Sequence, residues 1–189
     1  MYPSKLPFHR GGISSFFPDK DSLQIGDTLW FSCSFPTNLK YLPGGAIDSS
    51  VVNLKGASNV STDLNFHAIP KKDTITEALD SFKITPQKGA IQTNPLLPHG
   101  AETITFAEEQ NYYTISFGII PQKRGIYCIT IIDIYQLMKN CTKASVTIPI
   151  SNSIDQHLYF LSDAYFPGSR YEPSIPDYEL THDYAFKVY

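Results

Sequence analysis

Two short segments, Gly26–Pro36 and Gly125–Ile132, constrain the fold of this chain more than any other feature. Both are rich in β-branched and aromatic residues, and turn residues stand at their edges. The first segment alternates apolar and polar residues with a period of two, which is typical of a strand with one face in a core. Its expected core face consists of Leu29, Phe31, Cys33 and Phe35. The only tryptophan, Trp30, therefore lies on the more polar face.

The longest apolar run, Gly125–Ile134, predicts a central strand, because apolar residues on both faces need cover on both sides. Turn signals recur at about the 8–12 residue spacing of a β-sandwich. We therefore expect an all-β fold, an antiparallel two-sheet β-sandwich of the immunoglobulin-like type with one or two short helices. The other expected strands are Ile47–Leu54, Val60–Ile69, Ala101–Ala107, Asn111–Ile120, Val146–Ile150 and Tyr184–Val188.

Two segments have helical features. In 73–84, Thr74 and Glu77 have the spacing of a capping box and favour a helix. Phe82–Thr85 fits a strand equally well, so this segment stays open between the two structures. Ile154–Tyr165 carries an apolar stripe at helical spacing and is a second candidate helix.

The 189 residues correspond to one domain. Residues 1–20, rich in Pro, Gly and Phe, are expected to form an extended N-terminal arm, and 21–189 a single β-sandwich domain. Prolines and glycines predict a long loop over 86–102. They also predict a long irregular C-terminal segment, Pro/Tyr-rich over 166–182.

Charge and hydropathy argue against nucleic-acid binding and against a transmembrane segment. The net charge is −3 and no basic stretch is present, whereas nucleic-acid binding needs a basic face to neutralise phosphates. No run of about 18 apolar residues exists, so we expect no transmembrane segment. The first residues lack the apolar core of a signal peptide. Either the protein is cytosolic or its natural leader has been trimmed, and we favour the second alternative.

No motif predicts an enzyme. The histidines are scattered without metal-ligand spacing, no Gly-x-Ser-x-Gly elbow occurs, and Gly44-Gly45 is not followed by the Lys of a phosphate loop. The adjacent acids Glu108 and Glu109 lie in a predicted turn and point outward, unlike the paired carboxyls of a glycosidase. We therefore predict no catalytic residue, no metal site and no cofactor.

Three cysteines, Cys33, Cys128 and Cys141, leave several pairings open. A Cys128–Cys141 disulfide would close a loop of about 14 residues and stabilise the fold by roughly 3 kcal/mol. An immunoglobulin-type Cys33–Cys128 bridge is the second alternative, although Tyr127 stands one residue before the cysteine instead of two. Buried free thiols are the third. Zinc would need a fourth ligand.

Aromatic residues are the most informative surface candidates. Exposed tyrosine and tryptophan stack on sugars or anchor protein interfaces. The alternative is that these rings only fasten the terminal segment to the sandwich. The residues that we single out for interaction are Trp30, Tyr165, Phe166, Tyr171 and Tyr178.

Several short motifs together resemble uncharacterised exported envelope lipoproteins of Bacteroidota. The resemblance implies export and, usually, a lipidated cysteine near the start, which is absent near Met1; a lipid anchor then requires a trimmed leader. The family brings no catalytic residues. The motifs are Phe17-Pro18, Ile25–Phe31, Ser34–Pro36, Lys123–Tyr127, Asn152–Leu158 and Tyr184–Val188.

The same resemblance adds candidate O-glycosylation sites, because Bacteroidota attach glycans at Asp-Ser/Thr followed by a small or aliphatic residue. Ser22, Thr28 and Thr74 stand in such tripeptides. We expect a non-enzymatic exported cell-envelope protein, an accessory or structural subunit that docks on an outer-membrane or surface protein complex. It would lie at the outer membrane, at the cell surface or in the periplasm. The alternatives are a glycan-binding β-sandwich module and, third, a hydrolase.

Overall fold

A computed structural model describes residues 8–10, 13–40, 51–58, 60–71, 74–93, 101–132, 134–139, 142–147, 150–151 and 183–189. The candidate helix Ile154–Tyr165 and the Pro/Tyr-rich segment 166–182 lie outside these residues. Across the described ranges, no helix has the length and apolarity needed to cross a membrane.

The described elements are almost all strands, with one turn of 3-10 helix at Leu79–Ser81. In chain order the strands are β1 (Phe8–Arg10), β2 (Ile13–Phe17), β3 (Ser22–Leu23), β4 (Leu29–Pro36), β5 (Asn38–Lys40), β6 (Val51–Asn53), β7 (Ser61–Lys71), β8 (Thr74–Glu77), β9 (Phe82–Lys88), β10 (Ala90–Thr93), β11 (Ala101–Thr105), β12 (Ala107–Glu109), β13 (Tyr112–Pro121), β14 (Gly125–Ile131), β15 (Ile134–Lys139), β16 (Thr142–Thr147) and β17 (Asp183–Val188).

A five-stranded sheet contains the segment with the period of two. Its order is β12-β13-β4-β2. Strand β9 pairs with the second half of β13, on the same side of β13 as β12. All its pairings are antiparallel, with Phe31 of β4 between Phe117 of β13 and Phe16 of β2. The expected alternation is confirmed, because Leu29, Phe31, Cys33 and Phe35 are buried whereas Trp30 is half-buried on the other face.

A seven-stranded sheet contains the long apolar run. Its order is β10-β11-β7-β14-β17-β3, and β8 also pairs with β7. Strand β14 lies between β7 and β17, which confirms the expected central strand. The pairing of β17 with the two-residue β3 is parallel, unlike the others in this sheet.

The core lies between the two sheets, so the fold is sandwich-like. Phe16 of the five-stranded sheet stacks on Tyr184 of the seven-stranded sheet with 4.3 Å between ring centroids. Phe16 also contacts Phe31, which contacts Phe117, each pair at 5.0 Å. Both sheets contribute to one continuous cluster of buried apolar side chains. Aromatic rings of this size supply most of the buried area that stabilises such a core.

Two small sheets complete the described structure. One has the order β1-β16-β15, with β1 parallel to β16, and the other pairs β5 with β6. Ile134, Val146 and Ile150 from the first region join the main core cluster. Because two strand pairs are parallel, the expectation of a wholly antiparallel sandwich is correct only for the remaining pairs.

The segment 73–84, which its sequence leaves open between helix and strand, is mostly strand over its described residues. From position 74 it forms β8, the 3-10 turn and the start of β9. The apolar residues that share a helical stripe go to different places: Ile75 packs on the outer face of the seven-stranded sheet, whereas Phe82 contacts Phe66 and Tyr127 in the core. Tertiary pairing therefore overrides the local helical spacing.

The expected loop over 86–102 is also partly strand. Strand β9 continues through Pro86, and the register of its pairing with β13 shifts between Ser116 and Phe117. An edge strand with an irregularity tolerates proline, because the missing N–H has no partner to lose. Gly89, with φ of +75°, then carries the chain into β10 of the other sheet, and its Cα faces the Thr105 carbonyl too closely for any side chain.

The expected N-terminal arm is partly sheet as well. Within 1–20, β2 pairs with β4 along five residues, from Ile13 opposite Ser34 to Phe17 opposite Trp30. This pairing occurs because Phe16 alternates with its neighbours and supplies a core residue.

Candidate functional site

The outer face of the five-stranded sheet, which we call the Trp30 face, is built by strict alternation on three strands. Every second residue of β2, β4 and β13 points into the core, so the intervening residues point away from it. Most of these carry hydroxyl groups. The outward residues in register across the three strands are Ser15, Phe17, Trp30, Ser32, Ser34, Thr114, Ser116 and Gly118.

Trp30 lies over Gly118, the residue opposite it on β13. A Cβ atom on Gly118 would stand 3.0 Å from Cζ3 of Trp30, 2.9 Å from Cγ2 of Thr28 and 2.8 Å from Oγ1 of Thr85. Oγ1 of Thr85 also donates a hydrogen bond to the Gly118 carbonyl at 3.3 Å. The absence of a side chain at position 118 thus lets the indole lie close to the sheet.

Two more aromatic rings stand on this face and are far more exposed. Phe17, opposite Trp30, is 70% exposed, and Tyr112, opposite Pro36 at the other end, is 49% exposed. Phe17 was not singled out from the sequence, although its alternation with Phe16 is the signal that could have found it.

The charges near the Trp30 face stand at one edge. Lys88 and Glu109 form a salt bridge of 2.7 Å there, and both side chains are about half exposed. Lys83 is exposed on β9. The eight outward residues in register on β2, β4 and β13 carry hydroxyl, glycine or aromatic side chains and no charge.

The outer face of the seven-stranded sheet, which we call the Cys128 face, has a different chemistry. Cys128 of β14 stands opposite His67 of β7, and His67 stands opposite Glu77 of β8. One row further along the strands, Thr130 donates a hydrogen bond of 2.6 Å to Asp183 of β17. A thiol, an imidazole and carboxylates are the groups from which nucleophilic catalysis is built.

The electrostatics of the Cys128 face do not suit that chemistry. Cys128 is 1% exposed, and burial, with Asp183 as a second cause, raises the pKa of its thiol well above the usual range. Burial lowers the pKa of His67, against the opposing influence of Asp183 and Glu77. At neutral pH the pair is therefore an inaccessible thiol and an uncharged imidazole, whereas a reactive cysteine is an accessible thiolate.

Cys33 of β4 and Cys128 of β14 lie on opposite sides of the seven-stranded sheet. Cys33 faces the core, where burial raises the pKa of its thiol to about 12. Cys128 faces outward, beside Ala185 and Ile69. Cys33 and Cys128 are not bonded to each other, so the Cys33–Cys128 bridge is wrong. Cys141 lies outside the described residues, and its pairing with Cys128 stays a prediction.

The remaining candidate positions are dispersed. Ser22 is half-buried in β3 opposite Lys187, Thr28 packs its methyl group near Gly118, and Thr74 begins β8. Within the described ranges, no three His, Cys, Asp or Glu side chains are grouped as metal ligands would be. The candidates that lie outside those ranges are Tyr165, Phe166, Tyr171 and Tyr178.

One buried carboxyl was not expected from the sequence. Glu102 of β11 stands opposite Leu64 on the core side of the sheet and is 8% exposed. Its Oε1 accepts a hydrogen bond of 3.0 Å from Thr93, whereas Oε2 has no hydrogen-bond partner in the structure as described. A buried oxygen without a partner destabilises the fold by about 1–3 kcal/mol.

The described residues define a mostly β, sandwich-like fold in which the Trp30 face carries its charges at one edge. No protein-family model and no curated protein matches the chain. Two solved structures are similar at low level. The human F-spondin reeler domain has 10% identity and a TM-score of 0.35 over 78% of this chain and 90% of that one. AvmM, which catalyses macrocyclization in alchivemycin A biosynthesis, has 9% identity and a TM-score of 0.33 over 75% and 87%.

Proposed function

We propose that this chain is a non-enzymatic accessory or structural subunit of the cell envelope. It is exported, associates with the outer membrane, and docks on an envelope protein complex by the Trp30 face. In this proposal the two large sheets form an immunoglobulin-like sandwich to which the parallel strands are additions.

The observation that carries the proposal is the exposed ring of Phe17 beside Trp30. Burying apolar area gains roughly 25 cal/mol per Å², so a ring left 70% exposed favours any partner that covers it. The centres of protein interfaces are enriched in aromatic residues and depleted of charge. The Trp30 face has both properties, because its charges stand at the edge.

The docking proposal is tested by gentle detergent extraction of the native membrane, purification through a C-terminal tag and mass spectrometry of the co-eluting proteins. We expect a stoichiometric envelope partner with the wild-type chain and its loss with Phe17→Ser. The matched control is Ile25→Ser, which removes an exposed apolar side chain outside the Trp30 face. A chain that elutes alone would contradict docking, and a partner retained by Phe17→Ser would contradict the role of Phe17 as its anchor.

A glycan-binding module is the second candidate, favoured by the hydroxyl groups around Trp30. Sugar recognition combines an aromatic ring that stacks on the pyranose with polar groups that bind its hydroxyls. Ser32, Ser34 and Ser116 stand on the same face as Trp30. Titration of neutral oligosaccharides should then change the fluorescence of Trp30, the only tryptophan. Unchanged emission across a glycan panel would remove this candidate.

A further inference from the structure

A shallow groove lies at one end of the Cys128 face. It has a volume of about 670 Å³ and lies where β7 and β17 end and β14 begins. Its apolar lining on this face comes from Ile69 and Ile126, whereas the side chain of Val188 packs in the core between the sheets. Ile69 and Ile126 also belong to the cluster that packs around Cys128, so the groove floor is continuous with a packed surface.

Two cations stand at this groove. Lys187 lies opposite Ile126 in the register of β17 and β14, and Arg124 directly precedes β14. Neither forms an ion pair with a carboxylate among the described residues, where the ion pair is Lys88–Glu109 on the other sheet. The groove therefore combines an apolar floor with positive charge that is not neutralised within the described fold.

The backbone beside these cations is held in place. The Tyr127 hydroxyl lies 3.1 Å from the Lys123 carbonyl and 3.3 Å from the Arg124 carbonyl, and it donates to this pair. Nζ of Lys187 lies 4.4 Å from the ring centroid of Tyr189, within cation–π range. The Arg124 backbone and the Lys187 side chain are thus both held in place, which lowers the entropy lost when they bind an anion.

We propose that this groove binds an anionic amphiphile, a phosphate or carboxylate head group on an apolar chain. The head group lies between Arg124 and Lys187, and the chain lies over Ile69 and Ile126. A membrane lipid and a free amphiphile share this chemistry. The site lies on the opposite outer face from Trp30, so the result of its test does not depend on the docking proposal.

The test uses dodecyl phosphate below its critical micelle concentration, observed by methyl NMR of the intact chain. We expect saturable shifts of the Ile69 and Ile126 methyl groups. Dodecyl maltoside tests the apolar chain without charge, and inorganic phosphate tests the charge without a chain. Both should bind at least about tenfold more weakly, since each lacks one of the two contributions.

Variants locate the charge. Arg124→Gln and Lys187→Gln should each weaken binding by about tenfold, the effect of one charge-assisted contact. The matched control is Lys83→Gln, an exposed lysine on the other sheet, which should bind like the wild type. Equal affinity in the Arg124→Gln/Lys187→Gln double variant, with an unchanged melting temperature, would overturn the proposal. Equal binding of dodecyl maltoside would overturn it as well.

Vesicle sedimentation then distinguishes the two sources of the ligand. Binding to phosphatidylglycerol vesicles but not to phosphatidylcholine vesicles, lost in the double variant, supports a membrane lipid. Binding to dodecyl phosphate monomers without binding to either vesicle supports a free amphiphile. Binding to neither probe overturns the proposal.

Discussion

Replacement of Gly118 by alanine tests the packing on which the Trp30 face depends. The new Cβ atom would stand 3.0 Å or less from side-chain atoms of Trp30, Thr28 and Thr85. Contacts this short force at least one neighbour to move. The two threonines are β-branched and stiff about χ1, so the indole of Trp30 is the group that has most freedom to rotate.

Two opposing contributions set the size of the effect. Overpacking a filled site costs about 1–3 kcal/mol. In a strand, alanine is more favourable than glycine by about 0.5–1 kcal/mol, because alanine loses less conformational freedom on folding. The net expectation for Gly118→Ala is a loss of roughly 1–2 kcal/mol in the free energy of unfolding, since the overpacking is the larger contribution.

Tryptophan fluorescence gives a readout confined to this site, because Trp30 is the only tryptophan of the chain. Gly118→Ala should shift its emission to longer wavelength and increase acrylamide quenching, whereas urea unfolding followed by circular dichroism gives the free energy. The matched control is Ser116→Ala, on the same strand and face, which should change stability by less than about 0.5 kcal/mol. It should also leave the emission unchanged.

A double variant makes the reasoning sharper. Thr85→Ala removes the atom nearest to the added methyl group, so Gly118→Ala should cost less in the Thr85→Ala background than alone, a coupling that a double-mutant cycle measures. A Gly118→Ala protein with wild-type emission and undiminished stability would refute the described packing of Trp30 on Gly118.

Three further predictions concern polar side chains at buried or half-buried positions. Tyr113→Phe should destabilise the fold by about 1–3 kcal/mol and speed amide exchange at Ala57, because the hydroxyl bonds Leu54 O and Ala57 N–H; Tyr112→Phe, exposed, is the control. Glu102→Leu should stabilise by about 1 kcal/mol in urea unfolding, since it removes the unpartnered Oε2; a loss would contradict this. The pKa of His67 is lower folded than the unfolded value of about 6.5, so the unfolded chain binds more protons and stability falls as pH decreases through 6.5. His67→Gln should lessen that fall between pH 7.5 and 5.5; equal pH profiles would refute it.

The strands that carry the core could be predicted because their pattern is local and unambiguous. In β4 the alternation of apolar and polar residues runs over the whole strand, and the structure buries the expected side. In β14 apolar residues on both faces indicated a central position, and β7 and β17 flank it. In such segments burial decides the structure, and burial is what the periodicity reports.

The region from 73 to 93 could not be predicted in the same way. Its apolar residues fit a helical stripe and a strand equally, and only pairing with other strands decides between them. Strand β8 pairs with β7, the strand before it. Strand β9 pairs with β13, and its Pro86 stands opposite Phe117, more than thirty positions further along the chain. Single-sequence patterns do not contain that information, because the partner strand supplies it.

The Trp30 face and the Cys128 face also differ in how far the sequence predicts them. That Trp30 points away from the core follows from its own strand. That His67 stands opposite Cys128 depends on the register between strands about 60 residues apart, and no local pattern predicts register across such a separation. Phe17 was missed for a simpler reason, since a stretch rich in proline and glycine was expected to be an arm although it contains strand β2.

The packing of Trp30 on Gly118 also separates the two proposed functions of this face. A sugar that stacks on the indole needs that ring in its present position, so Gly118→Ala should weaken glycan binding together with the change in emission. A protein partner anchored by Phe17 contacts a ring that projects from β2 and does not rest on Gly118. Gly118→Ala should therefore spare protein docking at temperatures where the variant stays folded, whereas Phe17→Ser should abolish it. Loss of the partner with Gly118→Ala but not with Phe17→Ser would reverse the assignment and place Trp30 at the centre of the interface.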